Sequence, residues 1–155
     1  MRNTRKTSYW WPWVFALTWT IIIFKLSSGQ FSAQSTGGLV DKIIFIFWPK
    51  ISLAHLDLVH FIIRKLAHLS VYGILSLLWS WVFKPEAENW NTVWVTKVLF
   101  ICLCAASLDE THQSLIQSRT GSPIDVIIDI SGAGLAQVLW RTYFKKVKKI
   151  TRGVN

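Results

Sequence analysis

Four apolar stretches constrain this chain more than any other feature, because each is long enough to cross a lipid bilayer as a helix. They occupy residues 10–26, 57–83, 91–108 and 123–144. A bilayer core of about 30 Å needs about 20 apolar residues at the helical rise of about 1.5 Å per residue. Hydrophobic residues make up 52% of the chain and charged residues only 16%, so lipid faces most of this surface. The pattern predicts an all-α, polytopic membrane protein in which residues 1–155 form a single domain.

The segment between the first two predicted helices contains a shorter apolar run. Residues 39–48 are apolar but too few to span a bilayer, and Pro49 ends them. We therefore expect a short interfacial or re-entrant helix here, in addition to the four transmembrane helices. The stretch at 10–26 follows basic residues, as a cleaved signal peptide would. Its length, its tryptophans and the poor cleavage site after it favour a retained helix.

Positive charge is concentrated near the two termini. The formal net charge is +9, and the basic tail at 145–155 contributes much of it. Four spans place both termini on one side of the membrane, and the basic excess assigns that side to the cytoplasm. Most of the ten tryptophans also fall near helix ends on this side, as an aromatic belt would. The charge is thus explained by topology and contact with anionic membrane lipids, and no nucleic-acid partner is expected.

Polar residues collect at the opposite ends of the same helices. Four of the eight acidic residues lie within 109–129. Asp109 is about 27 Å along its helix from residue 91, and His68 is about 23 Å from residue 83, so both approach the outer boundary. The segment 27–30 leaves the first helix at that level. Ionisable groups at this depth are costly and usually face a cavity or one another, so we expect a polar pocket facing outside.

Helical spacing places many of these groups on common faces. Side chains three, four or seven positions apart share one side of a helix. Carboxylates that lie close together repel unless a cation, a proton or a basic side chain lies between them. The groups that share faces are Lys65, His68 and Tyr72; Asp109, His112 and Gln113; and Asp125 and Asp129.

The motifs that carry these residues resemble the VanZ-like family of small bacterial membrane proteins, over residues 12–144. The specific part is the combination of Asp-Glu-x-His-Gln at 109–113 with the arginine and the aspartates that follow it. Besides Asp-Glu-x-His-Gln, the matching parts are Ser27-Ser28-Gly29-Gln30, Arg64-Lys65-x-x-His68-x-x-x-Tyr72, Arg119, and Asp125-x-x-x-Asp129-x-x-Gly132. The resemblance implies a multi-pass protein of the cell membrane. It also implies a connection with antibiotic resistance to teicoplanin, a glycopeptide that acts on cell-wall precursors outside the membrane, without fixing a biochemical activity.

The candidate site residues divide by side-chain chemistry. Carboxylates and imidazoles serve in general acid–base catalysis or hold a divalent metal, and basic side chains hold phosphate or carboxylate, which arginine binds bidentately. No metal ligand is assigned, since the spacing matches no known zinc motif, and the cofactor stays open with a divalent metal as the candidate. The candidate catalytic residues are His68, Asp109, Glu110, His112, Asp125 and Asp129. The candidate substrate-binding residues are Ser28, Gln30, Lys65, Tyr72, Gln113 and Arg119.

Three functions fit these residues. The first is an enzyme acting on a lipid-linked or amphiphilic cell-envelope substrate. The second is a protein that binds or shields a lipid-linked cell-wall precursor without catalysis. The third is a structural polar knot, in which Asp109, Arg119 and Asp125 tie helix ends together without a ligand. Outside these sets, Arg64 is expected to be a solvated interface charge, and His60 a loop or interface residue. The oligomeric state stays open.

Overall fold

Five α-helices make up the part of the chain that the structure describes, with no strand among them. The structure is a computed structural model, and it describes residues 10–28, 33–83, 92–117 and 121–152. The predicted all-α architecture is therefore confirmed for these residues. The helices are α1 (Trp11–Leu26), α2 (Ala33–Phe47), α3 (Leu53–Phe83), α4 (Thr92–Ser114) and α5 (Pro123–Arg152).

Three of the described helices are long and apolar enough to cross a membrane. They are α3, α4 and the part of α5 at Pro123–Tyr143. Helix α1 is equally apolar but has 16 residues, slightly fewer than the usual span. Large apolar side chains are exposed on the outside of the helices; Phe100 is 64% exposed and Ile127 is 65% exposed. Surface of this kind is what lipid covers, so the helices have the character of a multi-pass membrane protein.

Two helix ends differ from the sequence prediction in ways that affect the site. Helix α4 ends at Ser114 instead of residue 108, because the Asp-Glu-Thr-His-Gln segment holds no glycine or proline to stop it. Helix α3 begins at Leu53 instead of residue 57, since the Ser52 hydroxyl accepts the backbone N–H of His55. The short element between α1 and α3 is a 15-residue helix, longer than the apolar run alone.

Helices α3 and α5 pack closely through small and polar residues. Gly132 lies against the backbone of Leu69, where an added Cβ would come within 2.8 Å of the Leu69 carbonyl carbon. Nearby, the Ser76 hydroxyl donates to the Ala133 carbonyl at 3.1 Å, and the Gln137 amide donates to the Ser76 hydroxyl at 2.7 Å. Small residues with interhelical hydrogen bonds are the usual means of packing helices in lipid.

The bundle has two distinct ends. At one end the start of α1 meets the end of α3, where the rings of Trp11 and Trp81 lie 4.0 Å apart. At the other end the last residues of α1 and α4 meet the first half of α3 and the start of α5. Helix α2 lies beside α3 at this second end, where His60 Nε2 and Asp41 Oδ1 are 2.6 Å apart. His60 is therefore a half-buried helix residue and not a loop residue.

Candidate functional site

A histidine between two carboxylates lies at the centre of the second end. His68 Nδ1 is 3.1 Å from Asp129 Oδ1 and 3.8 Å from Glu110 Oε1. The three residues come from α3, α5 and α4 respectively, so the group joins three helices. Asp129 is 0% exposed and Glu110 is 5% exposed. Buried carboxylates need a partner that offers protons or positive charge, and His68 supplies part of that need.

Asp125 forms a second group with two basic residues of α3. The Lys65 ammonium donates to Asp125 Oδ1, and Arg64 Nη2 lies 3.7 Å from Asp125 Oδ2. The Asp125 side chain is 2% exposed, whereas those of Lys65 and Arg64 are 21% and 32% exposed. The long basic side chains thus reach inward to a buried acid. The expectation that Arg64 is only a solvated interface charge is wrong.

Gln113 connects a third group at the end of α1. Its amide nitrogen donates to Asp109 Oδ2 at 3.1 Å, to Ser27 Oγ at 3.3 Å and to Glu110 Oε1 at 3.4 Å. Ser27 is the serine that enters this network. The predicted residue Ser28 instead donates its hydroxyl to the Lys25 carbonyl at 2.6 Å. The sequence spacing missed Ser27 because the two adjacent serines look equivalent until the rotation of α1 is known.

The start of α5 is fixed to α4 through Glu110. The backbone N–H of Ser122 donates to Glu110 Oε2 at 2.8 Å, and the Ser122 hydroxyl caps the helix by accepting from the N–H of Ile124 at 3.2 Å. Gly121 permits this approach, since a Cβ there would collide with the Glu110 carbonyl oxygen. The carboxylates of Glu110 and Asp125 therefore lie at a helix N-terminus, where the helix dipole favours negative charge.

Several buried polar atoms in this region have no hydrogen-bond partner among the described residues. They include Tyr72 Oη, Asp109 Oδ1 and Asp129 Oδ2. Each of the three side chains is at most 1% exposed. An unsatisfied buried polar group costs about 1–3 kcal/mol, and such groups in native proteins usually contact a ligand, an ion or an ordered water.

A cavity of about 520 Å³ opens beside these groups, between the end of α1 and the helices α2, α3 and α4. Its walls are mainly apolar, with Leu26, Val40 and Phe61 among them. The polar lining includes residues of all three groups, namely Ser27, Arg64, His68, Asp109 and Gln113, together with Tyr72. The cavity has a size in the range of small-molecule sites and combines apolar walls with a few convergent polar groups.

The structure brings together most of the predicted site residues, but not all. Seven of them lie in the three groups, and Tyr72 lines the cavity beside them. The seven are His68, Asp109, Glu110, Asp125, Asp129, Lys65 and Gln113. His112 lies one turn after Asp109 and is exposed, in contrast to its buried neighbours. Gln30 and Arg119 lie outside the described residues. The roles assigned to all these residues stay predictions.

A comparison with protein families identifies the family of this chain. The family model described as VanZ/LLP1 matches residues 11–145, which includes all five helices up to the middle of α5. A search of curated proteins finds no match, and a search of solved structures finds none either. The match covers most of the chain and contains every group of the polar end. The chain belongs to the VanZ/LLP1 family.

Proposed function

We propose that this protein binds, and processes or shields, a lipid-linked or amphiphilic molecule of the cell envelope at the outer leaflet of the membrane. The observation that carries the proposal is the cavity, because its walls are apolar and its inner lining is polar. An amphiphile has the same division, with a hydrocarbon chain and a polar head group. A water-soluble substrate would gain little from walls formed by residues such as Val40 and Phe61.

The proposed orientation places the cavity outside the cell. In this orientation α1 crosses the membrane in addition to α3, α4 and α5. A hydrogen bond between α1 and α3 supports that role, since the Trp19 indole donates to the Val71 carbonyl at 3.1 Å. The termini and the lysines of the tail then lie in the cytoplasm, which is the side that the distribution of basic residues favours. The polar end of the bundle, opposite the termini, would face the outer leaflet.

The charges near the cavity indicate the kind of head group. Arg64 lines the cavity, and Lys65 lies next to it with its ammonium 5.1 Å from the centre of the Phe61 ring. Arginine and lysine side chains at a partly exposed site favour phosphate or carboxylate. Lipid-linked cell-wall precursors carry such groups. This chemistry fits the teicoplanin connection of the family name, since that antibiotic acts on the same precursors.

A cavity-filling variant tests the proposal. Ala67 lines the cavity, whereas Ala54 lies on the same helix, is exposed and is outside the cavity lining. We expect Ala67→Trp to weaken binding of an isoprenyl diphosphate lipid by about tenfold or more, because the indole occupies the space of the hydrocarbon chain. Ala54→Trp, the matched control, should bind like the wild type.

The measurement is native mass spectrometry of the full chain in nanodiscs, with isoprenyl diphosphate, isoprenyl monophosphate and phosphatidylglycerol compared. Mass analysis of the lipid after incubation separates processing from simple binding. The proposal is wrong if none of these lipids binds above the level of a neutral lipid. It is also wrong if Ala67→Trp and Ala54→Trp bind equally well.

A further inference from the structure

We propose that His68, Glu110 and Asp129 form a binding site for one divalent transition-metal ion of the Zn²⁺ or Mn²⁺ type. Each residue offers one ligand atom, and these three atoms lie within 4.8 Å of one another. Imidazole nitrogen with two carboxylate oxygens is a ligand set that suits first-row divalent ions better than Ca²⁺, which prefers oxygen alone.

The separation of His68 and Asp129 fits two ligands of one ion. Two ligand atoms that each lie about 2.1 Å from one ion, in tetrahedral or octahedral geometry, are about 3.0–3.4 Å apart. The observed separations from His68 Nδ1 are 3.1 Å to Asp129 Oδ1 and 3.8 Å to Glu110 Oε1. The second separation exceeds this range by about 0.4 Å, so Glu110 Oε1 would move toward His68 when an ion binds.

The charges of the surroundings favour a divalent cation. Asp109, Glu110, Asp125 and Asp129 are all nearly fully buried. Gln113 joins Asp109 to Glu110, and His68 lies beside both Glu110 and Asp129. Asp125 contacts Lys65 and Arg64 instead. The permanent cations that contact them among the described residues are Arg64 and Lys65, and both approach Asp125. With all four carboxyl groups ionised, these two cations leave two negative charges without compensation. A protonated His68 would neutralise one of them, whereas a divalent ion on a neutral imidazole would neutralise both.

An independent observation also points to a ligand at this place. Asp129 is completely buried, yet its Oδ2 has no hydrogen-bond partner among the described residues. Asp109 Oδ1 and the Tyr72 hydroxyl are also buried without a hydrogen-bond partner among the described residues. Three ligands from the protein leave positions of the ion for water, and a bound water donates hydrogen bonds to neighbouring carboxylates. An ion with its water would therefore supply a partner for Asp129 Oδ2.

The helices hold the three ligands in fixed positions. The close contact between Gly132 and Leu69 occurs one residue after His68 and three residues after Asp129, so it sets the spacing of α3 and α5 at the site. The second oxygen of Glu110 accepts the N–H of Ser122 at 2.8 Å, which orients the carboxylate. Such supporting bonds around metal ligands usually control affinity.

The ion would also meet whatever enters the cavity, because His68 lines it. An open coordination position there would accept an oxygen of a phosphate or carboxylate head group. This last step rests on the proposed function, whereas the metal site itself does not.

Metal binding by the full chain in nanodiscs tests the site. The protein is treated with a chelator and dialysed, and Zn²⁺ or Mn²⁺ is then added while bound metal is measured by mass spectrometry of the elements. We expect one equivalent per chain. The variants His68→Gln, Glu110→Gln and Asp129→Asn should each weaken binding by about 100-fold or more, since loss of supporting residues alone costs about 10–100-fold. His55 and Asp57 are exposed residues of α3, the helix that carries His68. The controls are His55→Asn and Asp57→Asn, which should bind the metal like the wild type.

Thermal unfolding covers the case in which a variant folds poorly. Added Zn²⁺ should raise the Tm of the wild type and of both controls, but not that of the three ligand variants. The site does not exist if the wild type binds no stoichiometric metal, or if the ligand variants keep the same affinity as the controls. These measurements contain no lipid-linked molecule, so failure of the proposed function would leave their result unaffected.

Discussion

Gln113 is the side chain through which the polar groups of α1 and α4 meet. One amide nitrogen is shared among Ser27, Asp109 and Glu110 at 3.1 to 3.4 Å. The amide is 1% exposed, so bulk water cannot replace these partners. The orientation of Asp109 in the cavity lining therefore depends on its hydrogen bond from Gln113. A conservative substitution of Asp109 would keep this bond.

Replacement of Asp109 by asparagine separates a ligand site from a structural knot. Asp109→Asn keeps the size of the side chain and can still accept the hydrogen bond from Gln113. It removes the charge that would contact a ligand. We expect binding of the lipid, and with it any contribution to teicoplanin resistance, to be lost while the protein still accumulates in the membrane. Quantitative immunoblots and antibiotic susceptibility, measured on the same cultures, provide the test. Loss of function in proportion to loss of protein would support the structural knot instead.

The sequence predicted the position of a side chain correctly where that position depends on spacing along one helix. It failed where the contact of a side chain depends on the distance between two helices. The i, i+3 and i+7 pattern correctly placed Lys65, His68 and Tyr72 toward the polar end of the bundle. The environment of Arg64 was predicted wrongly. Arg64 does not share the helix face of Lys65, His68 and Tyr72, but its side chain is long enough to reach Asp125 on α5. Which helix lies within that reach is a property of packing, and the pattern along a single helix does not contain it.

At the scale of elements, the end of α4 shows the same limit. A drop in hydropathy at residue 108 suggested that the helix stops where the apolar run stops. The backbone continues to Ser114 because polar residues alone do not end a helix. The extra turns decide the geometry of the site. They present Glu110 toward α5 and Gln113 toward α1, and they leave His112 on the exposed side.

The contact between α3 and α5 offers a test with a control in the same helix. Gly132→Ala should destabilise the protein by about 1–3 kcal/mol, because the added methyl group collides with the backbone of Leu69 and forces the helices apart. Gly134→Ala meets nothing within 4 Å, so it should be neutral or stabilise the helix by up to about 1 kcal/mol. Reversible unfolding in detergent by sodium dodecyl sulfate titration measures both. Equal effects of the two substitutions would show that the close contact does not limit stability.

At the scale of the whole molecule, the two ends of the bundle differ in chemistry. Tryptophan and phenylalanine rings pack at one end, where Trp13 and Trp79 lie 5.7 Å apart. Buried acids, a histidine and the cavity occupy the other end. The sequence predicted this division well, since it follows from where polar residues stand along each helix. The number of spans is harder to derive, because the short helix α1 lies near the lower limit for crossing a bilayer.

The proposed orientation of these two ends is tested by the accessibility of single cysteines. Both natural cysteines, Cys102 and Cys104, are first replaced by serine or alanine, and one cysteine is then introduced at Gln117 or at Asn155. A thiol reagent that does not cross membranes should label Gln117→Cys in intact cells, because the proposed orientation places this exposed residue, just after α4, outside. Asn155→Cys should be labelled only after the cells are permeabilised, because the proposed orientation places the lysine-rich tail in the cytoplasm. Labelling of the tail alone in intact cells would reverse the orientation, and the cavity would then open to the cytoplasm, away from the outer leaflet that the proposed ligand occupies.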